Sequence, residues 1–216
     1  MKKLIIIGAS GFGREVAWLV ERINKQIPTW DLLGFLDDNP SIVETTVNGY
    51  KVLGTTSDIM KYSDTYFICA IGSSQIRKKV VKKCKNLQFA KLIDPSVEIS
   101  ELTDVGEGSI ICAHSIITVN VKIGTHAIIN LDCTIGHDSI LDDFVTLYPS
   151  VNVSGNTVLG ECSEIGTGSQ IIQGRTIGRR TIVGAGAVVI KDLPNDCTAI
   201  GVPAKPIKFN EGRNGD

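Results

Sequence analysis

One histidine stands beside an acid in a setting suited to catalysis. In Ile135-Gly136-His137-Asp138 the imidazole follows a glycine and is followed by a carboxylate. A carboxylate next to an imidazole can fix its tautomer and raise its basicity, which is what a general base needs. A second cluster lies near the N-terminus. Gly8-Ala9-Ser10-Gly11-Phe12-Gly13 joins an apolar run to an amphipathic one, so its amides can meet a phosphate at a helix N-terminus. Its spacing, GxxGxG, differs from the GxGxxG of dinucleotide-binding loops. Asp37-Asp38 ends a second apolar run and Gly72 a third. In a parallel sheet all three would converge on one carboxyl edge, where such folds hold nucleotides. The remaining histidines, His114 and His126, raise the question of a zinc site shared with His137. Their spacing, set against the repeat described next, puts the three on different sides of the fold, so no metal is expected and His114 and His126 read as surface residues.

The element that must carry His137 is a repeat. From Ile93 an aliphatic residue recurs at every sixth position, through Ile99, Val105 and Ile111 to Val189, seventeen times without an insertion. No helical or alternating template has a period of six. Three hexads close one triangular coil of a left-handed parallel β-helix, in which each aliphatic side chain points inward and stacks on its counterpart about 4.8 Å along. The fifth place of each hexad is mostly small or β-branched and should fill a corner. The second place is often glycine, expected there for backbone angles that a Cβ forbids.

The first 92 residues read differently. Strands at Leu4–Ile7, Leu32–Leu36 and Tyr66–Ile71 alternate with helices at Arg14–Ile27 and Ser74–Cys84, with a short β-like stretch at Tyr50–Leu53. This alternation implies a small, Rossmann-like parallel sheet. The expected organisation is therefore a nucleotide-binding, Rossmann-like domain over 1–92, a β-helix over 93–194 and a tail over 195–216 with a polar, mobile end. In 216 residues, 43% hydrophobic and 21% charged with a net charge of −1, nothing points to a nucleic-acid groove or an anionic membrane surface. The apolar runs are too short to span a bilayer. Cys69, Cys84, Cys112, Cys133, Cys162 and Cys197 form no CxxC pair and read as small buried hydrophobes in a reducing, cytoplasmic compartment.

The order GASGFGREV, LDD, AIGSSQIRKK, hexads containing IGHD and finally IGVPAKPIK resembles the bacterial sugar acetyltransferases. These hexapeptide-repeat enzymes include the N-acetyltransferases of nucleotide-linked amino sugars, such as the bacillosamine type, and relatives that O-acetylate sialic acid. The resemblance extends from residue 2 to about 208. It implies a homotrimer with acetyl-CoA held between neighbouring prisms and a nucleotide-sugar held by the N-terminal domain. His137 then matches the family's base and Asp138 the acid beside it. Ser10, Gly11, Phe12, Asp37, Asp38 and Gly72 match positions that contact the nucleotide-sugar. Thr146, Gly155, Thr167 and Ala185 match acetyl-CoA positions. Relatives often carry histidine where Phe12 and Thr146 stand. Lys205 in the tail is a candidate for the CoA phosphates.

The expected function is acetyl transfer from acetyl-CoA to the amine of a UDP-, dTDP- or GDP-linked amino sugar used in surface glycans. O-acetylation of a sugar or sialic acid is the second enzymatic reading. A third treats the prism as a scaffold that trimerises a nucleotide-binding domain, and a fourth is a metal enzyme.

Overall fold

The computed structural model describes residues 1–84 and 86–209. The tail beyond 209, where the mobile end was expected, lies outside the described residues. The chain opens with β1 (Lys2–Ile7), α1 (Gly11–Gln26) and β2 (Trp30–Leu36), then a hairpin of β3 (Thr46–Val47) and β4 (Tyr50–Lys51), followed by β5 (Tyr66–Cys69), α2 (Ser74–Lys83) and β6 (Gln88–Phe89). Its sheet has the order β2-β1-β5-β6 with every pairing parallel. β1 lies inside, and its side chains alternate between two cores, as a strand covered on both faces requires. Leu4 and Ile6 join Val16, Leu19 and Val20 of α1, whereas Ile5 and Ile7 join Val80 and Val81 of α2.

From Leu92–Ile93 onward the chain winds as a prism of two-residue strands separated by turns. The first face starts at Leu92–Ile93 and continues through Ile110–Ile111, Ile128–Ile129, Thr146–Leu147, Glu164–Ile165 and Ile182–Val183. The second face runs from Glu98–Ile99 to Val188–Val189 and the third from Asp104–Val105 to Thr176–Ile177. All prism pairings are parallel and in an eighteen-residue register, Ile111 on Ile129 and Ile135 on Val153 being examples. The chain has the expected fold class, a parallel α/β sheet followed by a left-handed β-helix. From Ile111 to Val189 the aliphatic residues are almost fully buried in one column, while Ile93, Ile99 and Val105 at its open start are only partly covered. The fifth-place hydroxyls are buried too, and several donate to carbonyls of the next corner, Ser109 to Gly124 and Ser115 to Asn130, each at 2.9 Å. Such bonds make a buried hydroxyl tolerable.

The second-place glycines have another cause than the one expected. The left-handed backbone angle falls on the fourth place, which holds His114, Asn120, His126, Asp132, Asp138 and Phe144 with φ between 53° and 62°. The glycines are needed for clearance. A Cβ on Gly124 would stand 2.6 Å from the amide nitrogen of Asp143, and one on Gly136 2.5 Å from that of Gly155.

The tail does not simply trail away. Cys197–Ile200 extends the first face beside Ile182–Val183, and Lys205–Phe209 folds back antiparallel on it. The first face is covered by the α/β unit. Ile110, Ile128 and Cys112 share a core with α1, and Arg22 of α1 grips Asp94 through two bonds of 2.5 and 2.9 Å. Burial alone would raise the Asp94 carboxyl, but hydrogen bonds from Arg22 and Ser96 more than offset it and hold the group at about 2.

Candidate active site

His137 sits at the corner between the second and third faces. The left-handed turn at Asp138 (φ 58°) folds the carboxylate back against the imidazole, and Nδ1 lies 2.8 Å from Asp138 Oδ2. Asn120, one coil below, donates to the other carboxylate oxygen at 3.1 Å. The hydrogen bond with His137, followed by that with Asn120, lowers the Asp138 carboxyl from its ordinary value. Asp138 is thus an anion that accepts from Nδ1–H, which leaves Nε2 unprotonated and outward as the base. Both side chains are about half exposed. Gly155, one coil above, keeps Nε2 open, because a Cβ there would stand 2.6 Å from it.

The other residues matched to acetyl-CoA lie elsewhere. Thr167 and Ala185 are exposed, in register, at the corner between the first and second faces. Thr146 is on the first face and 1% exposed. Its hydroxyl donates to the Gly72 carbonyl at 3.0 Å and accepts from Arg77 at 2.9 Å, so within this chain it serves the seam between the α/β unit and the prism. Lys205 is exposed on the returning strand of the tail.

At the carboxyl edge of the sheet the expected residues do converge. Gly8 (φ 99°) turns the chain after β1, and Asp37 Oδ2 accepts from the Ala9 amide at 2.7 Å. Asp38 instead accepts from the amide and hydroxyl of Thr56 at 2.8 and 3.0 Å. Ser10 and Gly11 are exposed, and Ser10 makes no side-chain cap on α1. The first-turn amides of α1 are therefore left for an external anion. Phe12 is half-buried against the α1 core. Gly72 lies across β5 from the loop, beside the prism residue Tyr148.

One residue departs from the sequence reading. His126 is not at the surface; it is 5% exposed, stacked on Phe144 at 5.1 Å and edge-on to Phe89 at 4.6 Å. Burial, with the charge of Arg77, lowers its pKa to about 4. His114 is exposed, and the three histidines occupy three different corners. Among the described residues no group of three or more His, Cys, Asp or Glu could hold a metal ion. Arg77, on the helix expected over Ser74–Cys84 and not singled out there, is fully buried. It donates to the carbonyls of Ile71, Gly72, His126, Phe144 and Val145 and to Thr146, at 2.6–3.3 Å. A signal was available, because at helical spacing Arg77 falls in line with Ser74, Val80, Val81 and Cys84 on one face. All six cysteines are buried and free. No helix among the described residues is long and apolar enough to cross a membrane.

Comparison with known proteins gives the family. Residues 3–84 match the family described as the PglD N-terminal domain. A GDP-perosamine N-acetyltransferase of Escherichia coli O157:H7 is 31% identical over 213 residues, covering 94% of this chain and 95% of the relative. The acetyltransferase domain of PglB from Neisseria gonorrhoeae FA1090, in complex with acetyl coenzyme A, superposes with a TM-score of 0.89 at 34% identity, covering 95% of this chain and 99% of that one. PerB from Caulobacter crescentus, in complex with CoA and GDP-perosamine, gives 0.80 at 28% identity, covering 96% and 98%. With an α/β unit, a hexapeptide-repeat prism and this identity along almost the whole length, the chain belongs to the hexapeptide-repeat sugar acetyltransferases, acetyl-CoA-dependent acyltransferases.

Proposed function

We propose that the protein moves the acetyl group of acetyl-CoA to the amine of a nucleotide-linked amino sugar, with His137 as base and Asp138 as its partner, in the cytoplasm. The observation that carries this reading is the open Nε2 of His137, opposed by an anionic Asp138 on Nδ1. The sugar nitrogen attacks the thioester carbonyl, a C–N bond forms, and the amine gives up a proton to Nε2. Asp138 stabilises the imidazolium that results. As the tetrahedral species collapses, the C–S bond breaks and the thiolate leaves as CoA, taking up the proton held by His137. A backbone amide of the prism serves the developing oxyanion. The similarity to a GDP-perosamine N-acetyltransferase along almost the whole length supports an amine as acceptor.

The remaining site residues divide between two corners of one prism. Gly155 lines the His137 corner, whereas Thr167 and Ala185 line the next one, with the second face between them. One acetyl-CoA reaches both sets when two protomers bring unlike corners together, which is the reason for a closed, head-to-tail ring. We assign a homotrimer, with Ser10, Gly11, Phe12, Asp37, Asp38 and Gly72 holding the nucleotide-sugar. In that setting Thr146 acts through the seam, by fixing the Gly72 carbonyl.

Calorimetry separates this reading from a scaffold. Titration with CoA and, in turn, with UDP, dTDP and GDP should give saturable binding of CoA and of one nucleotide preferred over the others. Absence of CoA binding would leave a nucleotide-binding scaffold instead.

A further inference from the structure

The carboxyl edge of the sheet has a direction. Its strand order puts Asp37 at the end of β2, the glycine loop at the end of β1 and Gly72 beyond the end of β5. A ligand laid along it meets a carboxylate, then the open amides of α1, then the first face of the prism. What stands at that last position is a phenol. A Cβ built on Gly72 would come 3.9 Å from Tyr148 Oη, so the hydroxyl stands over the glycine. Tyr148 follows the Thr146–Leu147 strand and is half-buried, and its hydroxyl donates to Glu164 Oε2 at 3.2 Å. Glu164 Oε1 is already taken by the amide and hydroxyl of Ser74, both at 2.8 Å.

This arrangement has one chemical preference. A phenol whose proton is committed to a carboxylate presents only lone pairs outward, and so accepts. Burial, then Glu164, pushes the phenol up to about 12, so that proton stays in place across the working range. A diphosphate, which carries only acceptors and negative charge, is repelled from this end and favoured at the α1 amides. A sugar hydroxyl or amine is a donor and fits. Resting on the function proposed above, we infer that Tyr148, held by Glu164, is a specificity-determining residue that accepts a hydrogen bond from the sugar ring and sets which end of the nucleotide-sugar faces the prism.

The test is Tyr148→Phe, which keeps the ring and removes the oxygen. Expected is a rise in KM for the nucleotide-linked amino sugar of about 10-fold, the size of one lost hydrogen bond to a neutral partner. kcat and the affinities for CoA and for the bare nucleoside diphosphate should stay within about twofold of wild type, and the thermal midpoint within about 3 °C, since none of these depends on the sugar contact. An unchanged KM would overturn the proposal. So would an equal loss of affinity for the bare diphosphate, because the residue would then serve the nucleotide or the fold. Failure of the wild-type protein to acetylate any nucleotide amino sugar would instead overturn the underlying function, and this inference with it.

Discussion

Replacing His137 with alanine should lower turnover by about 10²- to 10⁴-fold, the span expected for loss of a positioned general base. Acetyl-CoA affinity should change by less than about twofold, because the imidazole is half exposed at its corner and supports no other element. The drop belongs in kcat rather than in KM, since the proton moves only as the amine attacks. Asp138 is held as an anion by His137 and Asn120, so it should not contribute a titration of its own to the pH–rate profile near neutrality. A neutral amine is already nucleophilic, which places the loss toward the lower end of that range. Turnover unchanged in the alanine variant would remove His137 from the chemistry, whatever the fold. Steady-state kinetics with both substrates varied separates these outcomes.

The second large effect lies away from the base. Replacing Arg77 with methionine should destabilise the protein by about 3–5 kcal/mol, the cost of breaking a buried, fully hydrogen-bonded charged group. For a chain of this size the thermal midpoint would fall by about 10 °C. The reason is the number of groups that one guanidinium serves. Five carbonyls and one hydroxyl, from the link between β5 and α2 and from two coils of the prism, point at it. Burial lowers the guanidinium to about 10, still charged at neutral pH, so its charge is balanced by carbonyl dipoles. Methionine fills much of the volume but leaves the carbonyls of Ile71, His126 and Phe144 without the donor they have here, while Gly72 keeps Thr146 and Val145 keeps the Ile128 amide. A midpoint within about 2 °C of wild type would show that water or a side-chain shift replaces the fork, and calorimetric melts decide it.

The prism was legible because its signal is redundant. Seventeen aliphatic residues in one phase leave no competing template, and a coil that stacks on itself needs no distant partner to define it. His137 and Asp138 were legible for a similar reason, since the corner that pairs them is built from adjacent residues. His126 was not. Its hexad reads like any other, and only the α/β unit packed over the first face puts it between Phe89 and Phe144. The burial of Thr146 and Arg77 comes from the same long-range contact, although a helical spacing aligned Arg77 with Ser74, Val80, Val81 and Cys84. The second-place glycines show a subtler error. Their recurrence was evident, but close approach between coils and a left-handed turn leave the same mark on a sequence, and only coordinates tell them apart.

The central claim is that this chain acetylates the amine of a nucleotide-linked amino sugar. Incubating it with acetyl-CoA and a panel of UDP-, dTDP- and GDP-linked amino sugars, followed by mass spectrometry of the sugars, tests that directly. The account predicts that one carrier class gains a single acetyl group on nitrogen, with CoA released in equal amount. Acetylation only at a hydroxyl, or none with any carrier although CoA binds, would contradict it.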